Sequence, residues 1–313
     1  MNRSRALLKT LKWPIRAIWC SLAMLLPGPA LFADVIIVDS FKHDLSMQIA
    51  GGISRSCPAC GTIKYMDMQR DPAIGTEIIK DLRARKANGT LELVIALGPQ
   101  AAMLIAEGLP DTPALYSVHD EPDSELIKNT RFTFFDPRPP LSLQLEALTA
   151  LKPDIKTVGI IARRETLEPI RESVISAAQS QHINLRVYYV EEPQDVSAGL
   201  RQAITESDGL IFLRDRMVLN SDTVRYILRL TLENRIPTFA YSSSLVDMGM
   251  TVTLRADPLK LGGRIGEASQ ARLTGSALDP ASGDDIFIME INKRTLRHIP
   301  GAAAPSGREV VFK

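Results

Sequence analysis

Aromatic residues, cysteine and an excess of either charge are all scarce in this chain. Phe, Trp and Tyr make up 5% of the 313 residues, so any core must be mostly aliphatic. Lys and Arg number 37 against 36 Asp and Glu, a formal net charge of +1. Because dedicated nucleic-acid binders carry a marked basic excess, this balance argues against a nucleic-acid partner. With 45% apolar and 23% charged residues, the composition is that of a globular protein.

Several motifs of enzymes are missing as well. The chain contains no GxxxxGK[ST] phosphate loop, no GxSxG elbow and no HExxH. Its four histidines are far apart in the sequence, so neither a metal site nor a cofactor is expected. The glycine-rich GGRIG at 262–266 lies inside a predicted helix, where it indicates close helix packing. No enzyme activity is expected from these residues.

Long apolar runs are confined to the first 33 residues. This segment has five basic residues and no acid, an apolar run at 17–26 and small residues up to Ala33. These are the parts of a secretory signal peptide, and the apolar run is too short to span a bilayer. An uncleaved anchor is the alternative, whereas lipidation at Cys20 is rejected because bulky residues precede it. We expect cleavage after Ala33, which leaves a soluble, exported chain with 32 basic and 36 acidic residues.

The rest of the chain alternates between short apolar runs and helical stretches. The predicted strands are 35–38, 62–66, 91–97, 113–118, 132–135, 157–162, 185–190, 209–213, 237–241 and 286–291. The predicted helices are 44–55, 71–86, a segment opened by Pro99, 141–151, 167–181, 195–206, 221–234 and 257–273. Asp71 and Asp257, each followed by proline, are predicted N-caps. This alternation predicts parallel sheets covered by helices on both faces. The proline-rich segment 136–140 separates two such series, which predicts two similar α/β lobes.

Candidate ligand-binding residues stand after the strands of the first series, because parallel sheets bind ligands beyond the carboxyl ends of their strands. The candidates are Phe41, Gly98, Pro99, Gln100 and His119. The N–H groups of the helix that follows Gly98 suit a carboxylate or another anion. The alternatives are an ordinary surface loop at Phe41, a simple strand-to-helix turn at Gly98 and a hydrogen-bonded loop pair at His119.

The strands of the second series end in charged and hydroxyl residues. The candidates here are Arg163, Glu165, Arg214, Asp215, Tyr241 and Ser242. With Arg164 and Arg216, four arginines stand at two neighbouring strand ends. Because arginine is the preferred fork for a carboxylate or phosphate, this cluster favours an anionic or zwitterionic ligand. The alternative is local pairing of these arginines with Glu165 and Asp215.

A CxxC motif contains the two cysteines of the mature chain, Cys57 and Cys60. In a redox enzyme this motif opens a helix, whose N-terminus lowers the pKa of a thiol. Here the pair ends a predicted helix and precedes a strand, so that effect is missing. A local structural disulfide is therefore the favoured interpretation outside the cytoplasm, with a catalytic thiol as the alternative.

Several segments together resemble the periplasmic substrate-binding proteins of ABC transporters, in the family that includes binders of aromatic amino acids. The segments are DMQRD at 67–71, LVIALGPQAA at 93–102, ALYSVHDEP at 114–122, VGII at 158–161, DGLI at 208–211, RIPTFA at 235–240, DPLKLGGRIG at 257–266 and IN at 291–292. Their order and spacing are similar to the family from about residue 34 to 297.

This resemblance implies a type I periplasmic binding fold, in which two α/β lobes are joined by crossing segments and close on a ligand by a hinge. It implies a first lobe of 34–131 plus about 256–285, a second lobe of about 132–255 plus about 286–297, and a C-terminal tail at 298–313. It also implies that the candidates above face the ligand, together with Val118 and Asp257. Arg163 and its neighbours replace the family's usual Tyr-Asn-Pro turn, so an aromatic amino acid is not assumed as the ligand.

The expected function is that of a monomeric periplasmic protein that delivers a small molecule to an inner-membrane ABC permease. One alternative is an envelope sensory module with the same fold and no transport role. Another is a thiol–disulfide oxidoreductase that uses Cys57 and Cys60. A transcriptional repressor of the same fold is excluded by the signal peptide and by the lack of an N-terminal helix-turn-helix.

Overall fold

The strands form two separate sheets, and nearly all neighbouring strands in them are parallel. The computed structural model describes residues 34–117, 131–276 and 283–313. The predicted signal peptide and the candidates Val118 and His119 lie outside the described residues. Each sheet, with the helices packed on it, is called the first or the second lobe below.

The first lobe contains the strands that precede the proline-rich segment. Its strands are β1 (Asp34–Asp39), β2 (Lys64–Asp67), β3 (Leu91–Leu97), β4 (Ala114–Ser117) and β5 (Phe132–Phe134). Its helices are α1 (Asp44–Ser56), α2 (Pro72–Ala87) and α3 (Pro99–Gly108). The strand order is β2-β1-β3-β4-β5, and every pairing is parallel. The run from Val35 to Val38 is almost wholly buried because β1 lies inside the sheet with helices on both faces.

The second lobe contains the larger sheet. Its strands are β6 (Thr157–Ala162), β7 (Asn184–Tyr189), β8 (Gly209–Ile211), β9 (Thr238–Phe239), β10 (Val252–Ala256), β11 (Phe287–Ile291) and β12 (Val310–Phe312). The helices between 141 and 296 are α4 (Leu141–Leu151), α5 (Arg164–Leu167), α6 (Arg171–Ser180), α7 (Asp195–Glu206), α8 (Ser221–Glu233), α9 (Ser243–Met248), α10 (Pro258–Thr274) and α11 (Lys293–Leu296). The strand order is β12-β11-β10-β9-β8-β6-β7.

The two α/β series predicted from the sequence are confirmed, with differences at the end of the chain. The sequence pattern did not predict β10, β12 or α9, and β11 pairs with β10 in the antiparallel direction. These elements are only three to six residues long. Such short segments carry little periodicity, so tertiary pairing decides their structure. The helix predicted at 167–181 is divided by a 3₁₀ turn at Glu168–Ile170, where Pro169 has no N–H to donate.

Helix α10 follows β10 of the second lobe but packs against α1 of the first. Their backbones meet at glycines: a Cβ on Gly262 would overlap the carbonyl oxygen of Ile49, and one on Gly52 would overlap that of Leu259. A Cβ on Gly266 would lie 2.7 Å from the carbonyl oxygen of Ile53. The close helix packing predicted for GGRIG is therefore confirmed, and its partner is α1.

Three described segments lie where the chain passes between the lobes. They are 135–140 between β5 and α4, Ala256 and Asp257 where β10 ends and α10 begins, and the turn at 283–286 before β11. The N–H of Asp257 donates to the carbonyl of Ile286 at 2.8 Å, which joins the second and third segments. No helix in the described ranges is both long and apolar enough to cross a membrane.

Candidate functional site

A cleft of about 1500 Å³ lies between the lobes and beside the connecting segments. The first lobe contributes Leu45 and Ile49 from α1, and 135–140 forms part of the lining. Five predicted site residues line the cleft: Arg163, Glu165, Arg214, Tyr241 and Ser242. Six arginines and three acids stand among the lining residues, so basic side chains outnumber acidic ones in the lining itself. Such a surface suits a ligand with an anionic group.

Phe41 stands at the end of β1 on the first lobe and is not among the residues that line the cleft. Its ring is 41% exposed, and the guanidinium of Arg70 lies 4.3 Å from the ring centroid. Arg70 has a left-handed backbone with φ 59°, in the turn that follows β2. The sequence did not predict this cation–π contact, because Arg70 belongs to a different strand end.

His43 and Tyr65 fix the turn that carries Phe41. The Nδ1 atom of His43 accepts from the N–H of Ser46 at 3.0 Å and so caps α1. The Tyr65 hydroxyl donates to the buried carboxylate of Asp39, and Asp39 Oδ1 accepts the N–H of Phe41 at 3.2 Å. Burial and the bond to Asp39 raise the pKa of Tyr65 far above its ordinary value. Tyr65 therefore remains a neutral donor, and the turn is held from two sides.

Gly98, Pro99 and Gln100 form the start of α3, as predicted. Gly98 has φ 87°, and a Cβ at this position would lie 2.7 Å from the Ser40 hydroxyl oxygen. That hydroxyl accepts the N–H of Ala101 at 2.9 Å, so one helix-start donor is already used within the protein. Glycine is required here by both the left-handed backbone and the close approach of Ser40.

Asp215 is buried in the second lobe, where it is 2% exposed and contacts the ends of two strands. Its Oδ2 atom accepts the N–H of Arg163 at 2.9 Å and the hydroxyl of Thr166 at 2.9 Å. Its Oδ1 atom accepts the N–H of Met217 at 2.9 Å and the Nε of Arg163 at 3.2 Å. Burial by itself would raise the pKa of Asp215, but these donors, with the N–H of Val218, outweigh burial and lower it. The carboxylate therefore stays charged and joins the ends of β6 and β8.

The arginines at these strand ends differ in their surroundings. Arg163 pairs with Glu165 as well as with Asp215, which is the local pairing that the sequence left open. Arg164 stacks on the ring of Tyr189, with 4.4 Å between the guanidinium carbon and the ring centroid. Arg214 and Arg216 are exposed on the loop after β8 and line the cleft. The structure thus brings Arg163, Arg214 and Arg216 to the cleft.

Tyr241, Ser242 and Asp257 occupy the ends of β9 and β10. Tyr241 is 42% exposed, and the hydroxyls of Ser242 and Ser244 lie 3.0 Å apart. Asp257 accepts the N–H groups of Leu259 at 2.8 Å and Lys260 at 3.0 Å, and so caps α10. The predicted role of Asp257 as a helix cap is confirmed. The same hydrogen bonds fix the segment of Ala256 and Asp257, where the chain passes between the lobes.

Arg255 is a cleft residue that the sequence did not single out. It is the penultimate residue of β10, and its Nε donates to the Oε1 atom of Glu290 on β11 at 2.8 Å. Glu290 is 3% exposed, and the two residues are 35 positions apart. A buried acid inside the apolar strand FIMEI was the available signal, because such a residue needs a cationic partner.

Cys57 and Cys60 form the disulfide that the sequence favoured, with 5.3 Å between their Cα atoms. Both cysteines are almost fully buried. The pair follows the end of α1 and precedes β2, as predicted. In the part of the chain that the structure describes, no cluster of His, Cys, Asp and Glu side chains is arranged to hold a metal ion.

A family model gives the family of this chain, and similar solved structures give its fold. The family model described as ABC transporter substrate binding protein matches residues 59–297. The chain is similar to the ligand-free, open structure of a substrate binding protein with adhesive properties from Clostridium difficile. The identity is 18%, the TM-score is 0.69, and the match covers 90% of this chain and 99% of the other. At that identity the likeness shows the fold.

Two further structures are similar to this chain. One is an ABC domain in complex with L-Trp from Streptococcus pneumonia, with 18% identity, a TM-score of 0.49, and coverage of 88% of this chain and 100% of the other. The other is a periplasmic ribose ABC transporter protein from Conexibacter woesei, with 14% identity, a TM-score of 0.48, and coverage of 87% and 95%. The comparison with curated proteins finds no match.

Proposed function

Because this chain belongs to the ABC transporter substrate binding protein family, we propose that it is a periplasmic protein that captures a small molecule and delivers it to an ABC importer. The cleft carries this proposal, since it lies between the two lobes and has a volume of about 1500 Å³. Binding pockets for small molecules are of this order in size and commonly lie between domains. No covalent chemistry is part of the proposed function.

The ligand of the proposed function has an anionic group and is an anion or a zwitterion. The support is the excess of arginines over acids in the lining of the cleft. In the second lobe, Arg163, Arg214, Tyr241 and Ser242 would contact the ligand, with Glu165 available for a cationic group. Asp215 would act through Arg163, because both of its oxygens already accept from protein donors.

Closure of the lobes would complete the site. Phe41 and the Gly98–Gln100 turn stand at strand ends of the first lobe, outside the lining of the cleft in this conformation. Exposed apolar residues face the cleft from both lobes: Leu45 is 44% exposed and Ile170 is 39% exposed. A ligand that contacts both lobes favours the closed state by its greater affinity for that state. The closed, monomeric protein would then be the form that docks on the permease.

A thermal-shift screen with anionic and zwitterionic metabolites tests the proposed function. A ligand at about 100 times its Kd adds about 2.7 kcal/mol to the free energy of unfolding, so we expect a hit to raise the Tm by several degrees. Native mass spectrometry should show one bound molecule. No hit in a broad library, or a hit that fails to stimulate uptake by the reconstituted permease, would contradict the proposal.

Two matched variants show whether a hit binds in the cleft. Tyr241→Ala removes an aromatic ring that lines the cleft, and Leu232→Ala removes an apolar side chain outside it. The two side chains are equally exposed, at 42% and 43%. We expect the first change to reduce the ligand-induced rise in Tm and the second to leave it unchanged. Equal effects of the two variants would place the ligand elsewhere.

A further inference from the structure

We propose that Arg255 binds the anionic group of the ligand, and that the buried Glu290 is the positioning residue that aims its guanidinium into the cleft. This inference rests on the proposed function, in which the cleft holds a small ligand. It adds Arg255 as a binding residue and Glu290 as the residue that positions it. Neither was among the candidates predicted at the strand ends of the sequence.

Arg255 lies where the second lobe passes to the first. It is the last residue but one of β10, and Asp257 after it caps α10, which packs on α1 of the first lobe. The side chain of Arg255 lines the cleft and is 39% exposed. A ligand held at this position would contact the connecting segments, around which the lobes move, and would remain in place during closure.

The hydrogen bonds of Arg255 leave the outer end of its guanidinium available. Nε donates to Glu290 Oε1 at 2.8 Å, and Nη1 donates to the carbonyl of Ala256 at 3.2 Å. These partners lie on the two sides of the planar group. Among the described residues no further partner takes Nη2 or the second hydrogen of Nη1, so these donors remain as a fork that matches a carboxylate or a phosphate.

Glu290 is suited to fix the direction of this fork. It is 3% exposed on β11, between β12 and β10, and its Oε2 atom is buried without a hydrogen-bond partner. Lys313 Nζ lies 3.9 Å from Oε2 and 3.6 Å from Asp247 Oδ1, beyond hydrogen-bond distance of both. A buried carboxylate with one unbonded oxygen depends on its remaining partners. Burial would raise the pKa of Glu290, but hydrogen bonds from the side chains of Ser243 and Arg255, with the charge of Lys313, lower it. The charged carboxylate therefore accepts from Arg255 Nε and holds the guanidinium in one orientation.

Three other arginines of the cleft, Arg138, Arg163 and Arg264, donate to carboxylates through groups that a ligand would otherwise use. Asp136 takes both Nε and Nη2 of Arg138, at 2.8 Å each. Glu165 takes Nη1 of Arg163, while Asp215 takes its Nε. Arg264 donates through Nη1 to Glu267 at 3.0 Å. Arg255 differs because its carboxylate partner is buried behind it and engages Nε only.

Nuclear magnetic resonance of the arginine Nε–H groups tests the inference with two probes, inorganic phosphate and succinate, at constant ionic strength. We expect at least one probe to shift the Arg255 signal in a saturable manner. A response to phosphate alone assigns a phosphate group to the ligand, and a response to succinate alone assigns a carboxylate. No saturable shift with either probe would overturn the inference.

Variants separate binding from positioning. Arg255→Lys keeps the positive charge but removes the paired N–H donors of the guanidinium. We expect the probe concentration at half-saturation, followed on the N–H signal of Ala256, to rise roughly tenfold or more. Glu290→Gln keeps the shape of the side chain but weakens its hydrogen bond with Arg255 Nε. We expect the half-saturating probe concentration to rise severalfold in this variant. Arg186→Lys is the control, because Arg186 pairs with Glu206 outside the cleft. An unchanged midpoint in Arg255→Lys overturns the binding role, and an unchanged midpoint in folded Glu290→Gln overturns the positioning role.

The outcomes for this inference and for the proposed function are distinguishable. If Glu290→Gln fails to fold, as judged by circular dichroism, the half-exposed Arg255→Lys variant still decides the binding role. A metabolite screen without a hit, together with a saturable shift of Arg255, overturns the proposed function alone. A hit whose Kd is the same in Arg255→Lys and in the wild type overturns the inference alone.

Discussion

Asp215 illustrates how a single buried residue organises the second lobe. The sequence places it among charged residues at a strand end, which predicts a contact with the ligand. In the structure both of its oxygens accept from donors on Arg163, Thr166 and the turn at Met217. Burial of an unpaired carboxylate is unfavourable, so the donors that surround it are a requirement of the fold.

Replacement of Asp215 by Asn is expected to lower the free energy of unfolding by about 3 kcal/mol near neutral pH. The asparagine amide has no negative charge, and its NH₂ group replaces one of the two oxygens that accept hydrogen bonds from Arg163, Thr166 and Met217. Urea unfolding measures the change. Asp154→Asn is the control, because the Asp154 carboxylate is exposed and pairs with Lys152 at the surface, and we expect it to leave the urea midpoint close to that of the wild type.

The same variant has a defined pH dependence. Because the folded pKa of Asp215 lies below its ordinary value of 3.8, its charge stabilises the fold fully above that value. The contribution is lost as the pH falls through the lower folded pKa. The difference in stability between wild type and Asp215→Asn should therefore stay constant down to about pH 5 and shrink as the pH falls from there through the lower folded pKa. A difference that stays constant or grows as the pH falls through that range would contradict this role.

At the scale of elements, the contact of α1 with α10 decides how the C-terminal part of the chain returns to the first lobe. Glycines on both helices let the backbones touch. The sequence predicts close packing at GGRIG from the absence of side chains alone. It does not predict which helix is the partner, because Gly52 on α1 is 210 positions before Gly262. That pairing depends on the path of the chain through both sheets.

Gly262→Ala is expected to destabilise the protein by about 1–3 kcal/mol, because the added methyl group overlaps the backbone of α1 at Ile49. Gly263→Ala is the matched control on the same helix. Its Cβ would lie 3.4 Å from the Ser56 hydroxyl oxygen, an ordinary contact. Since alanine favours a helix by about 0.5–1 kcal/mol over glycine, the control should be neutral or slightly stabilising. Equal losses in urea unfolding for both variants would argue against the packing explanation.

At the scale of the whole molecule, the disulfide and the predicted signal peptide are both compatible with the proposed periplasmic location. A structural disulfide persists in an oxidising environment such as the bacterial periplasm. Cys57 and Cys60 are bonded and almost fully buried, which limits exchange with other thiols. The third cysteine, Cys20, lies in the predicted signal peptide and would be removed by cleavage.

The mature protein purified from an exporting host is expected to begin at Asp34 and to carry no free thiol. Intact mass spectrometry with alkylation measures both properties: no cysteine should react before reduction, and Cys57 and Cys60 should react after reduction and unfolding. Residues 34–313 expressed in a reducing cytoplasm serve as the control with alkylatable cysteines. An N-terminus that retains Cys20, or free thiols in the exported protein, would contradict the prediction.

The sequence by itself determined the alternation of strands and helices, the caps at Asp71 and Asp257, and the disulfide. Each of these depends on residues close together in the chain: Asp71 accepts the N–H of Ala73 at 2.8 Å, and Cys57 and Cys60 are three positions apart. Local free energies of capping, turn formation and apolar periodicity are sufficient to specify such features.

The tertiary structure alone decided which charged residues of the cleft already have partners within the protein. Arg163 and Asp215 are 52 positions apart, and Arg255 and Glu290 are 35 apart. Their pairing follows from the order of strands in the sheet, in which β8 lies beside β6 and β11 turns back against β10. Because the free energy of a charged group depends on burial and on the donors around it, the role of each arginine was set only when the sheets were assembled.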